Sequence, residues 1–468
     1  MNRLLFLIPV FLMFLGCANK SVTRYEMLSK PLEEGGFEAA IQKAVEEQDD
    51  LYGSNSEFLF HYDLGILYHY KGDWKQSAEH LAKAEEIYEE LFARSVSNEA
   101  AALLTNDNVR PYRARPFELL SLFAYQILNY LSQNDIDGAL VEVRRSQIAA
   151  EALYQKNEKK VNDAGYLRYL SGLVYEMGGE ADNAAISYFQ AVKAYDENKQ
   201  TLPPELWEYV YHYLKKNGRE DDIKSLGKAP PASSASTALS DEFGQEIVVV
   251  AFAGKSAILG ELYMSGTFVN GGGLNLYYKD GETGKQRSLT IVAPFLPPGT
   301  SSVGTSFHVG FALPEKKPRK FKVSQFSVSV KDSYSNLKAE AIGNVSNDLA
   351  QNLEQENLVT MGRTAARVVI RTVAAQKAKR AMRTGNTLVD LITNVGTDVA
   401  QSQLEQADLR VGLFLPNTIH LTRIPVPEGS HVVNVRALNQ SGGAEQHFEF
   451  KKDVPKNGKT FVIVPAFR

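Results

Sequence analysis

Apolar residues recur every three to four positions from about residue 35 to residue 226. Past residue 243 they come at every second position or in short unbroken runs. The first period is that of amphipathic helices and the second that of strands. Between them, residues 227–242 (Gly-Lys-Ala-Pro-Pro-Ala-Ser-Ser-Ala-Ser-Thr-Ala-Leu-Ser-Asp-Glu) have neither period and read as a linker. The expected class is α+β: a helical array, then a β-rich, sandwich-like part.

Within the array one motif returns three times. Gly65 and Tyr68 precede the turn Lys71-Gly72-Asp73-Trp74, which is followed by Ala78, Leu81, Ala82 and Ala84. Small residues let two antiparallel helices approach, and large ones fill the layer between them. This resembles a tetratricopeptide repeat. A second copy runs through Tyr130-Leu131, Gln133-Asn134-Asp135 and Gly138-Ala139-Leu140-Val141, with Ala124 and Ile127 in place of Gly and Tyr. A third runs through Gly172, Tyr175, Gly178-Gly179-Glu180 and Ala184 to Ala191. Residues 36–48 predict an initial helix. Residues 205–216, with Trp207, Tyr209 and Tyr211, predict a capping helix. Of the 22 tyrosines, 18 lie before residue 226. Most are expected in inter-repeat packing, leaving a minority to line a concave face for a peptide or partner helix.

In the second part, strands are expected at Ile247 to Phe252, Ser288 to Ala293, Ser306 to Leu313, Lys322 to Val330, Leu409 to Leu415, Ile419 to Ile424, His431 to Ala437, Glu445 to Phe450 and Thr460 to Pro465. Pro294, Pro297, Pro298 and Pro314 mark edges or turns. Pro427-Glu428-Gly429 looks like the turn of a PEGA-type hairpin. A helical insertion interrupts from about 345 to 403: a long helix from Val345 to Ala381 and a weaker one from Thr387 to Gln403. On the long helix Arg363, Arg367 and Arg371 recur every four residues as a ridge, extended by Lys377, Lys379, Arg380 and Arg383. The ridge is either a solvated face, or one paired with an acidic domain, or a contact for lipid head groups, cell-wall polymer or an acidic partner.

The first seventeen residues change the setting. Arg3 precedes an uncharged apolar run from Leu4 to Leu15, too short to span a bilayer and suited to a signal peptide. Phe14-Leu15-Gly16-Cys17 resembles the lipobox of bacterial lipoproteins, with Phe14 in place of the usual Leu. Cys17 is the chain's one cysteine, which excludes an internal disulfide, a CxxC pair and a cysteine zinc cluster. The expected organisation is signal peptide 1–16, lipidated tether 17–34, TPR-like domain 35–226, linker 227–242 and β-rich domain 243–468. Ala18, where Asp would retain such a protein in the inner membrane, favours the outer membrane, facing the periplasm.

Charge divides the same way. Residues 18–227 carry 23 Lys/Arg and 35 Asp/Glu, while residues 228–468 carry 27 and 20. Opposite signs predict parts with different partners, or parts that face each other. The acidic first part argues against nucleic acid as its ligand, and no nucleic-acid partner is expected. The basic loop Arg110, Arg113 and Arg115 stands out in the acidic half.

Catalytic patterns are missing from the sequence. Gly254-Lys255-Ser256 lacks the Gly that a phosphate loop needs at position 249, where Val249 stands. No HExxH or GxSxG occurs. His61 and His69 fall two turns apart on one helix, a spacing read as packing. No catalytic residue, cofactor or metal is expected.

Pro111 to Glu118, Leu128 to Leu131 and Gly138 to Arg145 together resemble an uncharacterised, TPR-containing family of proteobacterial lipoproteins. Arg363 to Val369, Ala407-Asp408-Leu409-Arg410, Leu415-Pro416 and Ile424 to Gly429 follow in that family's order. The family tends to show Asp-Thr-Arg-Ser-Trp where this chain has Ala407 to Gly412. The resemblance implies a periplasmic protein with a role in envelope assembly, since the family's genes tend to neighbour those of lipoproteins related to activators of peptidoglycan synthases. The expected function is a non-enzymatic scaffold binding a protein partner, such as another envelope lipoprotein, through Arg110, Arg113, Arg115, Glu118, Tyr130, Arg144 and Arg145. The alternative is a module that binds peptidoglycan or surface polysaccharide through Arg363, Arg367, Arg371 and the β-part.

Overall fold

The computed structural model describes residues 20–95, 110–156, 164–200, 202–227, 245–269, 273–281, 283–291, 306–381 and 406–467. Cys17, Arg383, the expected helix Thr387 to Gln403 and nearly all of the expected linker lie outside them. Helices come first and a sheet-rich part follows, so the chain is α+β. Among the described residues no helix is long and apolar enough to cross a membrane.

The helical part begins with α1 (Lys20–Glu46), which starts ahead of the expected residue 36 and breaks at Gly36, where φ is +74°. A short α2 (Gln48–Leu51) follows. Three hairpins come next: α3 (Glu57–Lys71) with α4 (Trp74–Ser95), α5 (Pro116–Ser132) with α6 (Ile136–Lys156), and α7 (Gly165–Met177) with α8 (Ala181–Glu197). Then come α9 (Pro204–Lys216) and α10 (Glu220–Leu226). The turn after α3 is built as its residues dictate. Gly72 takes the left-handed conformation (φ +86°), and Asp73 accepts the Gln76 amide at 3.2 Å. Each hairpin closes over a glycine. A Cβ on Gly65 would sit 2.6 Å from Leu81, one on Gly138 2.4 Å from Tyr130, and one on Gly172 2.5 Å from Tyr188.

Eleven strands follow among the described residues: β1 (Glu246–Ala253), β2 (Ile258–Val269), β3 (Gly273–Lys279), β4 (Gln286–Ile291), β5 (Ser306–Lys317), β6 (Gln325–Val330), β7 (Tyr334–Asn344), β8 (Thr418–Pro425), β9 (Gly429–Leu438), β10 (Ala444–Val454) and β11 (Lys459–Ala466). The long helix α11 (Val345–Ala381) lies between β7 and β8, as its periodicity predicts. A seven-stranded sheet has the order β10-β9-β6-β7-β8-β1-β11, and a four-stranded sheet the order β4-β3-β2-β5. β1 lies next to the edge strand β11, to which it runs parallel, and antiparallel to β8. Both its faces are covered, which is why it reads as an unbroken apolar run. Ile247, Val249 and Ala251 pack with β6, β9 and β11. Val248, Val250 and Phe252 face the helices and belong to the same core cluster as Leu64, Leu122 and Leu173. The helical array and the sheet therefore share one continuous core. The four-stranded sheet packs against Met361, Ala365 and Val368 of α11.

Three strands escape the pattern reading: β2, β3 and β7. Gly260, Glu261 and Gly266 interrupt β2, and Gly266 is required because a Cβ there would lie 1.8 Å from the Asn275 carbonyl oxygen. The expected PEGA-type hairpin is not one. β8 pairs with β7 and β1 while β9 pairs with β6 and β10, because the β6–β7 hairpin sits between them in the sheet. Leu409 to Leu415 forms no strand: it joins no ladder, and the chain bends at Leu413 and Phe414. Pro314 lies inside β5, an edge strand, where a missing N–H is tolerated.

The close hairpin contacts yield a test by urea unfolding. Gly172→Val is expected to cost about 1 to 3 kcal/mol or more through overpacking against Tyr188. Gly362→Ala, whose new methyl meets nothing within 4 Å in the interior of α11, should stabilise by about 0.5 to 1 kcal/mol. Equal effects would contradict the packing described.

Candidate functional site

The inner faces of α1, α3 and α5 surround a segment of the same chain, residues 408–416, that belongs to no sheet. Leu409, Val411, Leu413, Phe414 and Leu415 are all buried there. A buried main chain must find hydrogen-bond partners, and here side chains replace a neighbouring strand. The Arg115 guanidinium donates to the Arg410 carbonyl at 2.7 Å, and Arg24 donates to the Val411 carbonyl at 2.6 Å. The Gly412 N–H donates to Glu118 Oε1 at 2.9 Å and the Leu413 N–H to Asp63 Oδ1 at 2.8 Å. Arg319 donates to the Leu413 carbonyl at 2.8 Å. Beyond it, the Ser256 N–H reaches the Leu415 carbonyl at 2.9 Å. Gly412 allows the approach, since a Cβ there would lie 2.6 Å from the Tyr62 ring.

Local structure prepares these donors and acceptors. Glu118 is the N3 residue of α5 and closes a capping box on the Arg115 N–H at 2.8 Å, while the Tyr112 hydroxyl donates to it at 2.6 Å. Asp63 accepts the Tyr52 hydroxyl at 3.1 Å. Arg410 forms a bidentate pair with Asp408 at 2.7 and 2.8 Å and donates to the Asn55 and Arg110 carbonyls at 2.8 and 3.1 Å. Burial pushes the Asp63 carboxyl up to about 6, even though the Arg24 charge and the Leu413 N–H pull the other way. Burial also raises Glu118 and lowers Arg319 to about 10. With its folded pKa raised above 3.8, Asp63 destabilises the fold when ionised, and that cost fades as the pH falls below about 6.

Of the residues singled out in the sequence, Arg115 and Glu118 lie at the heart of this groove, and Arg110 contributes its carbonyl. Arg113 is exposed. Tyr130 packs over Gly138 within its own hairpin. Arg144 pairs with Glu180 at 2.5 Å, and Arg145 with the buried Glu85 at 2.6 Å and Glu142 at 3.0 Å. The arginines of α11 do not share one environment. Arg363 is exposed, whereas Arg367 is 4% exposed and bonds Thr364 at 3.2 Å; the Arg371 side chain lies outside the described set.

Other clusters were invisible in the sequence because their members are far apart in it. Arg423 on β8 bonds Glu246 at 2.7 Å and Glu176 at 3.1 Å, and lies over the Tyr209 ring at 3.6 Å. Lys459 on β11 reaches both carboxylates, at 3.1 and 3.2 Å. This knot joins the array to the sheet. The fields of Arg423 and Lys459, working against desolvation, hold Glu176 down at about 2. His61 faces His80 across the first hairpin, Nδ1 to Nδ1 at 3.0 Å, while buried His69 meets Asn129 Oδ1 at 2.7 Å. Among the described residues no group of three or more His, Cys, Asp or Glu is placed to hold a metal ion. No protein-family model matches this chain, and no curated protein does.

Arg423→Met leaves Glu176 and Glu246 buried with only Lys459 between them, so it should destabilise by about 3 to 5 kcal/mol. Because the folded Glu176 pKa lies below its ordinary 4.5, its contribution is complete above that pH and is lost as the pH falls toward 2. Acid titrations of unfolding should show this slope in the parent chain and a shallower one in Glu176→Gln. Identical slopes would rule the account out.

Proposed function

We propose that this chain is an envelope scaffold: an outer-membrane lipoprotein anchored through Cys17, facing the periplasm, whose TPR-like hairpins bind a protein partner. On this reading the curled seven-stranded sheet is a sandwich-like module that braces the array. The observation that carries the proposal is the groove. Its helices grip a segment of the chain by the main-chain groups of residues 410–413, which is how a repeat array holds a peptide. The chain fills that groove with its own residues, so an external partner takes the outward face. There Val141 is 51% exposed, Ile148 71% and Ile186 42%, beside Arg144 and Arg145. Apolar residues rimmed by arginines suit a protein surface. The family resemblance, with its link to envelope assembly, belongs to the same proposal.

A photo-crosslinking residue placed at Ile148 should give a discrete adduct in cell envelopes, lost when Val141→Asp is added. If no adduct forms at Ile148 or its neighbours, the scaffold reading fails. Palmitate labelling should mark the parent chain and not Cys17→Ser; equal labelling of both would remove the anchor.

A second reading is a module for peptidoglycan or surface polysaccharide. It is favoured by Tyr263 and Tyr277, 56% and 49% exposed on one face of the four-stranded sheet, and by exposed Arg363. Sedimentation with purified peptidoglycan separates the two. Binding that falls with Tyr263→Ala and Arg363→Ala supports this module, and no sedimentation removes it.

A further inference from the structure

Five cations crowd the end of β5 and the loop that leads to β6: Lys316, Lys317, Arg319, Lys320 and Lys322, with no acid before Asp332. They do not share one role. Arg319 turns inward. It donates to the Ser256 and Leu413 carbonyls, the latter at 2.8 Å, and lies over the Tyr25 ring at 4.5 Å. Phe321 packs against Gly254, where a Cβ would sit 2.5 Å from its ring. These contacts pin the loop between the end of β1 and the first turns of α1. Lys317 and Lys320 are left exposed. The Lys322 side chain is 72% exposed and approaches Glu445 only to 3.9 Å.

Tyr25 fixes where this loop stands relative to the start of the chain. α1 begins at Lys20, five residues before Tyr25, or about 7.5 Å of helix. Cys17 is three residues ahead of Lys20, and three residues span at most about 11 Å. Whatever course they take, Cys17 lies within about 20 Å of the Tyr25–Arg319 contact. An acyl chain on Cys17 enters hydrocarbon beneath a head-group layer about 5 to 7 Å deep. A tether this short holds the lysine-bearing end of the body against the membrane. Surface charge there acts over a Debye length of about 10 Å.

We propose that Lys317, Lys320 and Lys322 rest on anionic phospholipid head groups of the membrane that holds the acyl chains. The proposal rests on the anchor reading of Cys17 and adds to it a second contact and the class of lipid. Charge complementarity is the chemistry, since a net-negative phosphate surface attracts each lysine brought near it. One acyl signal joined to a basic patch gives firmer attachment than either alone. Two contacts also fix which side of the body faces the bilayer. Arg319 and Tyr25 hold the loop by contacts within the chain, so the surface is formed before any lipid arrives.

Vesicle flotation tests it with the chain that begins at Ala18, which lacks the acylated residue and keeps every described one. This chain should float with phosphatidylcholine vesicles holding about one-third phosphatidylglycerol and not with phosphatidylcholine alone, and added salt should release it. Lys317→Gln with Lys320→Gln should lower the partition coefficient about twenty- to thirtyfold, at about fivefold for each charge. Lys451→Gln with Lys456→Gln, the same change in charge toward the far end of β10, should lower it far less. In the acylated chain Cys17 is blocked, so Lys320→Cys offers a single thiol for a polarity-sensitive dye. Its emission should shift to the blue on the same anionic vesicles, and that of a dye on Lys456→Cys should not. Flotation that ignores phosphatidylglycerol, equal losses in the two double variants, or equal dye shifts at the two sites would each overturn the proposal. None of these touches the anchor, which stands or falls on the palmitate labelling, and flotation of the unacylated chain does not depend on that labelling.

Discussion

Residues 410–413 run through the molecule with their peptide groups out of water and no strand beside them. Buried N–H and C=O groups left unbonded would cost about 1 to 3 kcal/mol each, so the surrounding helices must carry polar side chains on their inward faces. Asp63, Glu118, Arg24 and Arg115 do this. Their placement explains several features that look unfavourable one at a time. A capping-box glutamate is fully buried, an aspartate has its pKa raised, and Gly412 lies against Tyr62. Each is tolerated because the alternative is an unsatisfied backbone in a low-dielectric interior.

The same segment makes the two halves one body. It leads from the groove into β8, and β8 with β1 carries the apolar face on which the array packs. The charge asymmetry is partly used up along this seam. Arg423 and Lys459 of the basic half meet Glu176 of the acidic half, Arg115 meets Glu356, and Lys255 meets Glu33. Charges that could have addressed outside partners thus hold the halves together, and Arg367 is buried rather than presented. Val141, Ile148 and Ile186 of the array remain exposed.

How much was legible depended on how local the cause was. α11 was readable from Val345 to Ala381 because Leu349, Leu353, Ala365 and Val368 form one stripe against the sheets and α5. β1 was readable because burial on both faces demands a continuous apolar run. β2 was not, since Gly266 serves a close approach to β3 that no neighbouring residue announces. Leu409 to Leu415 has the composition of a strand, yet it joins no ladder and bends at Leu413 and Phe414, and its partners are side chains drawn from as far away as Arg24. Of the candidate site, Arg115 and Glu118 were found through their motif, but as ligands of an outside partner rather than of residues 410–412.

The chain's own periodicities determined the α+β division, most elements and the glycine-based hairpins, because these follow from spacings within one or two turns or strands. The tertiary structure decided which faces meet, that the groove is filled in cis, and where buried charges are paired. Those outcomes depend on desolvation and Coulomb energy between groups such as Asp63 and Leu413, or Glu176 and Arg423, which only folding brings within bonding distance.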